Sequence, residues 1–251
     1  MRYRTIAVEL RGAVAFMALA SPQRANRIAA ETLRELASAC EAIAGEDAIR
    51  AVVLSAQGDS FCAGWEAETL AAPAEELAGA FDPIAALPQP VVAAVHGETL
   101  SAGLELALAC DVRIAANDAR FALPETAHGL IPLAGGAARL PRVVGRGHAA
   151  DLLLTGRSID AAEALRIGLV SRVAPPDALM AEATAVAERV AERGPIATRY
   201  AKEAVWRGLD LTLDQALRYE TDLTVLLQTT DDRAEGVQAF IEKRPPNFSG
   251  R

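Results

Sequence analysis

The sequence predicts an α/β fold in which a body of mixed strands and helices precedes a helical region. Residues 3–10 and 13–19 alternate apolar and polar side chains like two paired strands. A helical spacing of apolar residues over 27–44 and a short apolar run at 50–55 follow them. The order strand, strand, helix, strand is typical of the start of a layered α/β fold. From Asp177 onward, the apolar spacing is helical throughout.

This change at Asp177 predicts two parts. Four consecutive segments carry the helical spacing: 177–193, 195–207, 211–228 and 231–242. We therefore expect residues 1–176 to form the core that contains the active site. We expect residues 177–251 to form a helical region for oligomerisation and closure of the pocket.

The composition excludes several classes of protein. Of the 251 residues, 51% are hydrophobic and 23% are charged, as in an ordinary globular protein. The net charge of −8 argues against nucleic-acid binding. No apolar run reaches the roughly 18 residues that a membrane span needs. The cysteines (Cys40, Cys62 and Cys110) are odd in number and widely spaced, which favours packed thiols in the cytoplasm over a disulfide or a metal site.

One carboxylate interrupts an otherwise apolar segment in the middle of the chain. The apolar run 91–95 predicts a buried strand, and every residue from Ala102 to Cys110 except Glu105 is apolar or small. A helix that is apolar all round lies in the interior. An unpaired carboxylate costs several kcal/mol there, or it takes up a proton. Glu105 is therefore either a structural residue paired with an arginine or a functional one.

The small residues before Glu105 favour the functional interpretation. Ser101, Ala102 and Gly103 carry little side-chain bulk, so a ligand can approach the backbone closely. Unpaired amides at the start of a helix attract a negative oxygen. A buried carboxylate beside such a turn indicates proton chemistry next to a carbonyl group.

The rest of the core alternates loops with short regular elements. A turn-rich loop at 57–66 follows a strand, which is where open α/β sheets place ligands. Pro124 suits the first turn of a helix, with Glu125 beside it. The remaining predicted elements are a helix at 74–87, a strand at 112–116, helices at 136–144, 147–155 and 160–167, and a strand at 169–173.

Five groups of residues, in order and with matching spacing, carry a resemblance. They are Phe61-Cys62-Ala63-Gly64; Ser101 to Ala107 with Cys110-Asp111; Phe121 with Pro124-Glu125; Ile131-Pro132 with Gly135-Gly136; and Phe240 to Arg244 with Phe248. On these residues the chain resembles the crotonase (enoyl-CoA hydratase/isomerase) superfamily over essentially its whole length. The resemblance implies a spiral of ββα units followed by helices that build trimers, often stacked as hexamers.

The resemblance also implies the site. It assigns the backbone amides of Trp65 and Ala102 to the thioester oxygen of an acyl-CoA, although the family usually has Gly at the second position. It assigns catalysis to Glu105 and Glu125, whose separation of 125 − 105 = 20 residues matches the two-carboxylate hydratases. Residues expected near the CoA are Arg24, Ala63, Glu66 and Ala67, with Phe240 and Lys243 reaching a CoA in the adjacent subunit.

The implied reaction is the addition of water to a 2-enoyl-CoA, with fatty-acid β-oxidation as the default pathway. Glu105 and Glu125 hold the water, and Glu125 donates a proton to C2. No metal or prosthetic group is implied, since CoA enters as part of the substrate. The alternatives are another acyl-CoA reaction of the family (isomerisation, dehydration or thioester hydrolysis) and a catalytically silent acyl-CoA-binding protein. Chain length and branching of the acyl group stay open.

Overall fold

The computed structural model describes residues 3–251, which contain two β-sheets and a series of helices. The strands are β1 (Ile6–Arg11), β2 (Val14–Leu19), β3 (Ala51–Ala56), β4 (Val91–Val95), β5 (Glu98–Leu100), β6 (Val112–Ala116), β7 (Arg120–Ala122), β8 (Ile159–Asp160) and β9 (Arg172–Ala174). The helices are α1 (Ala30–Ala44), α2 (Ala67–Leu70), α3 (Ala74–Leu77), α4 (Asp82–Ala85), α5 (Ala102–Leu108), α6 (Gly136–Thr155), α7 (Ala161–Arg166), α8 (Leu179–Ala191), α9 (Pro195–Gly208), α10 (Leu213–Leu227) and α11 (Asp231–Glu242). Two 3-10 turns, Pro22–Arg24 and Pro124–His128, complete these elements.

The larger sheet has six strands in the order β1-β2-β3-β4-β6-β9. Only the β1–β2 pair is antiparallel, and the other neighbours run parallel. The central strands are continuous apolar runs because both of their faces are covered, as is usual for parallel sheets. The predicted α/β class is therefore confirmed.

The second sheet, β5-β7-β8, makes the repeat of the fold visible. The chain passes through β4, β5 and α5, and then through β6, β7 and α6, so that each turn adds one strand to each sheet and then a helix. The sequence analysis does not predict β5, β7 or β8. Strands of two or three residues are too short to carry a period-2 pattern.

Helices cover both faces of the larger sheet. One face packs against a core that includes α1, α5 and α6. The other face packs against α8, whose small residues Ala183 and Ala187 contact β3, β4 and β6. The first helix of the predicted C-terminal region is thus part of the sheet's covering layer. The division of the chain at residues 176 and 177 stays a prediction.

Glycines interrupt the helical spacing at two places in the chain. Residues 74–87 do not form one helix, because Gly79 adopts φ +73° between α3 and α4. The helical spacing at 136–155 is interrupted at Gly145, with φ +78° and ψ 158°, which agrees with the two predicted helices at 136–144 and 147–155. A positive φ is a conformation that glycine adopts without strain.

An ion pair ties the helical region to the end of α5. Asp111 follows α5 and accepts a hydrogen bond from the indole Nε1 of Trp206 at 2.6 Å. Its other oxygen lies 2.8 Å from Nζ of Lys202, also on α9, and accepts the amide of Val91 at 2.7 Å. The three donors satisfy a largely buried carboxylate and dock α9 on β4.

Within residues 3–251, no helix combines the length and apolarity needed to cross a bilayer.

Candidate active site

Gly103 allows α5 to lie against the loop that follows β3. A Cβ atom at this position would fall 2.3 Å from the carbonyl oxygen of Cys62 and 2.8 Å from its Cβ. The amide of Cys62 donates to Glu98 O, and its carbonyl accepts from Leu100 N, so the loop also pairs with β5. The small residue predicted to admit a ligand therefore admits another part of the protein. This contact brings the first turn of α5 next to residues 62–65.

The two amides predicted to bind the thioester oxygen belong to two distant parts of the chain that lie next to each other in the structure. Gly64, with φ +117°, is so close to the start of α5 that a Cβ on it would lie 3.3 Å from Cβ of Ser101. Ile28 bonds to the residues flanking Trp65, donating to Gly64 O at 2.8 Å and accepting from Glu66 N at 2.9 Å. The N–H of Trp65 therefore points away from Ile28. Among residues 3–251, the amides of Trp65 and Ala102 have no acceptor.

The backbone strain at this turn falls on Ser101. Its φ is +50° and its ψ is −120°, whereas Ala102 is the first residue of α5 and has helical dihedrals. The departure from the family's usual Gly at Ala102 is therefore compatible with the backbone. A non-glycine residue in such a conformation costs about 1–3 kcal/mol.

We expect Ser101→Gly to stabilise the protein slightly and to keep its activity. The relief of about 1–3 kcal/mol of strain offsets the roughly 0.5–1 kcal/mol of chain entropy that glycine costs, so the net gain lies between about 0 and 2.5 kcal/mol. Urea unfolding measures it. The matched control is Ala102→Gly, whose position is helical and which should lose stability. A larger loss for Ser101→Gly than for the control would contradict this assignment of strain.

Glu105 is fully buried and has no ion-pair partner in the described part of the chain. Its Oε1 accepts the amides of Ala134 at 2.8 Å and Gly136 at 2.9 Å. Its Oε2 has no hydrogen-bond partner among residues 3–251. The alternative of a structural Glu paired with an arginine is therefore wrong: backbone amides orient this carboxylate and leave one oxygen available.

Glu125 supplies a second buried carboxylate. It stands in the 3-10 turn that begins at Pro124, as the sequence predicts for the turn's first residues. It is buried, and neither of its carboxylate oxygens has a partner in residues 3–251. Three unsatisfied carboxylate oxygens, two here and one on Glu105, are unusual in a protein interior and mark a site where a polar ligand or water binds.

The protonation of Glu105 follows from this environment. Its pKa is raised from 4.5 to about 7: burial is the main cause and the charge of Glu125 acts in the same direction, while the amides of Gly136 and Ala134 and the charge of Arg139 oppose the rise. The charge of Glu125 acts on Glu105, so the two buried carboxylates lie within electrostatic reach of each other. At neutral pH, both the protonated and the ionised form of Glu105 are therefore populated.

The loop that holds Glu105 is the part of the site that the sequence analysis did not assign. Its Gly135-Gly136 pair appears in the resemblance without a role. Gly136 is required here, because a Cβ on it would lie 3.0 Å from Cγ of Glu105 and 2.9 Å from Cβ of Pro132. A glycine pair 30 and 31 residues after Glu105 is a signal too general to identify carboxylate binding.

The residues expected near the CoA lie together at one edge of this loop system. The amide of Ala63 donates to Ala25 O at 3.0 Å, which holds the loop against the turn that contains Arg24. The guanidinium of Arg24 lies 3.9 Å from the carboxylate of Glu66 and is largely exposed. Ala67 begins α2 next to Glu66 and is also exposed. The structure thus brings these four residues together, with Arg24 and Ala67 exposed and Ala63 buried beneath them.

Asn26 fixes that edge, and sequence analysis missed it. Its Nδ2 donates to Gln57 O at 2.7 Å and to Ser60 O at 2.8 Å, and its Oδ1 accepts the amide of Ser21. Asn26 is buried and has φ +52°, a conformation that asparagine tolerates better than most residues. A lone Asn in a loop carries no pattern by which the sequence would reveal this role.

Phe240 and Lys243 stand apart from this edge, at the end of α11. Phe240 is 84% exposed and lines a cavity of about 430 Å³ together with Phe248. Lys243 is exposed and adopts φ +54° directly after the helix. Their expected contact is with a CoA bound to an adjacent subunit, and it stays a prediction.

A cavity of about 750 Å³ borders the loop that holds Glu105. Leu133 and Ala134 line it from that loop, and Lys202 and Trp206 line it from α9. Neither Glu105 nor Glu125 lines the cavity. It is therefore a space between the active-site loop and the helical region, distinct from the carboxylate pair.

These features define a class of protein. Two coupled, buried carboxylates beside a pair of unpaired neighbouring amides are the groups of an enzyme that moves protons next to a carbonyl group. The model of the enoyl-CoA hydratase/isomerase family matches residues 9–251. The chain belongs to that family, as the resemblance implies.

Individual relatives agree over the full length. A protein of Rhizobium meliloti named probable enoyl-CoA hydratase is 42% identical, with 100% of both chains covered. A crotonyl-CoA hydratase of Syntrophomonas wolfei is 38% identical, with 99% of both covered. The crystal structure of an enoyl-CoA hydratase from Bacillus anthracis is similar with a TM-score of 0.92 and 40% identity, covering 99% of this chain and 100% of that one.

Proposed function

We propose that this protein is an enoyl-CoA hydratase, a hydro-lyase that reversibly adds water to the C2=C3 bond of a 2-enoyl-CoA and forms a 3-hydroxyacyl-CoA. The observation that carries the proposal is the pair of electrostatically coupled carboxylates, Glu105 and Glu125. Three of their four oxygens have no hydrogen-bond partner among residues 3–251. The names of the full-length relatives support the same reaction.

The amides of Trp65 and Ala102 are the proposed site of the thioester oxygen. As an oxygen nucleophile bonds to C3, the electrons of the double bond move toward the thioester and leave negative charge on its oxygen. Two fixed N–H donors stabilise that charge, and removal of one such donor typically costs about 2.7–4 kcal/mol. No cofactor or metal is part of this step, since main-chain amides supply the stabilisation and CoA arrives with the substrate.

The carboxylate pair is proposed to move the protons. In the reactive form the pair is proposed to share one proton, because two ionised carboxylates in a small buried site repel each other. A water between them loses a proton to Glu105 as its oxygen bonds to C3, and Glu125 donates its proton to C2. One water is added in total. The proton gained by Glu105 then passes to Glu125, and the pair is restored.

Mass spectrometry of crotonyl-CoA incubated with the protein tests the reaction. Hydration adds the mass of one water to the intact thioester. Thioester hydrolysis releases free CoA, and isomerisation leaves the mass of a suitable 3-enoyl-CoA unchanged while moving its double bond. Tight binding of crotonyl-CoA with no product would identify a silent binding protein. Any of these three other results would overturn the hydratase proposal.

Glu125→Gln is expected to lower kcat for crotonyl-CoA hydration by about 10²–10⁴-fold, the usual contribution of a general acid or base. The amide cannot donate an acidic proton to C2, but the thioester-binding amides are untouched, so KM should change little. Steady-state kinetics measures both constants. A variant with near wild-type kcat would show that Glu125 takes no part in proton transfer.

The assembly is proposed to be a homotrimer, or a hexamer formed by two trimers. The support is a set of large apolar side chains left exposed in the single chain, which form surface unusual for a monomer. They belong to the last three helices and their connections, and include Val205, Leu209, Leu213, Leu217, Val225, Leu226, Phe240 and Ile241. Light scattering should give three or six times the 26.3 kDa of the chain.

We also propose a cytoplasmic location, supported by three buried free thiols.

A further inference from the structure

Arg139 joins the loop that binds Glu105 to the segment that contains α4. Its Nη1 donates to the carbonyl of Ala134 at 2.9 Å, and its Nη2 donates to Oδ1 of Asp82 at 2.6 Å. The side chain of Arg139 is only 16% exposed. Its guanidinium lies against the loop, where a Cβ at Gly135 would fall 2.1 Å from Nη1. The hydration mechanism above does not use this contact.

The residue that Arg139 holds is one of the two that orient the catalytic carboxylate. The carbonyl of Ala134 accepts from Arg139, and the amide of Ala134 donates to Oε1 of Glu105. The amide of Gly136, two residues later, is the second donor to that oxygen. A shift of this backbone by a fraction of an ångström would therefore move Glu105 relative to the water and to C3.

The charge of Arg139 also reaches Glu105. Two charged side chains influence this carboxylate: Glu125 from the 3-10 turn, which disfavours its ionised form, and Arg139 from α6, which favours it. Asp82 neutralises part of the charge of Arg139 from the side opposite the loop. Geometry and charge thus act on Glu105 through one guanidinium.

We propose that Arg139 is a positioning residue for the hydration reaction: it holds residues 134–136 in the shape that receives Glu105, and Asp82 on α4 holds Arg139 in place. The inference rests on the proposed function for its kinetic readout. The two structural parts of the inference do not depend on which substrate is used: Arg139 positions the loop, and its charge favours the ionised form of Glu105.

The chain offers a closely matched control on the same helix. Arg142 makes the same two types of bond, donating from Nη1 to the carbonyl of Ala138 at 2.8 Å and from Nη2 to Oδ1 of Asp210 at 2.9 Å. Its side chain is 51% exposed, and the carbonyl it contacts belongs to α6 itself and not to the loop around Glu105. Arg142→Gln therefore removes an equivalent arginine without touching the loop.

Arg139→Gln and Arg142→Gln should differ in crotonyl-CoA hydration. For Arg139→Gln we expect kcat to fall by about 10²-fold, the effect of misplacing a reacting group by about 1 Å, with KM changed much less. The limb of the pH–rate profile that reports Glu105 should move to higher pH, because the cation that favours its ionised form is gone. Arg139→Lys keeps the positive charge but loses the planar guanidinium with its two donor groups. Relative to Arg139→Gln, it should therefore return the limb of the pH–rate profile to its wild-type position and recover only part of kcat. Arg142→Gln should leave both unchanged.

Infrared titration of the protonated carboxyl band provides a readout that needs no turnover. The band that is absent from Glu105→Gln should titrate at higher pH in Arg139→Gln than in the wild type. If the wild type does not hydrate crotonyl-CoA, the proposed function fails while this titration still tests Arg139. Equal effects of Arg139→Gln and Arg142→Gln, or a lower kcat with an unmoved pH limb and band, would overturn the inference. Should Arg139→Gln fail to fold, Asp82→Asn takes its place: a lowered kcat is expected, and wild-type kcat would overturn the inference.

Discussion

Glu105→Gln is expected to lower kcat for crotonyl-CoA hydration by about 10²–10⁴-fold. The amide oxygen of Gln can still accept the hydrogen bonds of Ala134 and Gly136, so the fold of the site is kept. The new side chain cannot take a proton from water at any accessible pH. KM should change little, because the substrate's thioester oxygen is proposed to bind to main-chain amides. Steady-state kinetics of the purified variant measures both effects.

A control separates this loss from the general effect of removing a negative charge. Glu98 precedes the same helix on β5 and is exposed, so Glu98→Gln removes one carboxylate without changing the buried pair. Its kcat should equal that of the wild type. If Glu105→Gln retains near wild-type kcat, the buried pair is not the catalytic unit and the hydratase mechanism proposed here is wrong.

The same variant is expected to be more stable than the wild type at alkaline pH. The pKa of Glu105 is about 7 in the folded protein and 4.5 as its ordinary value. Between these values the folded state binds more protons than the unfolded state, so the free energy of unfolding falls as pH rises through this window. Above about pH 7 the full penalty is present, and it amounts to about 3 kcal/mol at 1.36 kcal/mol for each pH unit. The side chain of Gln stays neutral at every pH, so the Glu105→Gln variant does not carry this penalty.

Urea unfolding at pH 5 and pH 8, at a fixed protein concentration, measures this difference. We expect Glu105→Gln and the wild type to differ in stability by about 1 kcal/mol or less at pH 5 and by up to about 3 kcal/mol at pH 8. Glu98→Gln should show no such change with pH, since its carboxylate is exposed. A variant that gains nothing between the two pH values would mean that burial does not disfavour the ionised form of Glu105. The proposed catalytic role of Glu105 is thus expected to come at the expense of the stability of the folded protein.

Elements with a strong local pattern could be predicted from the sequence. The apolar runs of β4 and β6 agree with the structure residue for residue, and the helical spacing at 231–242 coincides with α11. The isolated Glu105 in an apolar helix marked the site, because a charge without a partner in such a helix needs a reason. These inferences need only the neighbours in sequence.

Other features depend on residues far apart in the chain. The helix predicted over 74–87 is two helices, because Gly79 turns the backbone and Asp82 is engaged by Arg139 from a distant element. The positive φ at the start of α5 belongs to Ser101 and not to Ala102, at the point where Gly64 of a distant loop lies against the helix. No local pattern contains this information.

The sequence by itself determined the class of the fold, the family and the two glutamates, since apolar periodicity and the spacing of motifs are local properties that a chain carries whether folded or not. Only the tertiary structure decided what surrounds those glutamates. Burial raises the pKa of Glu105 toward neutrality, the amides of Ala134 and Gly136 orient it, and Arg139 holds those amides. Glu105 and the two amides that orient it are 29 and 31 residues apart in the chain, and their contact exists only once the chain has folded.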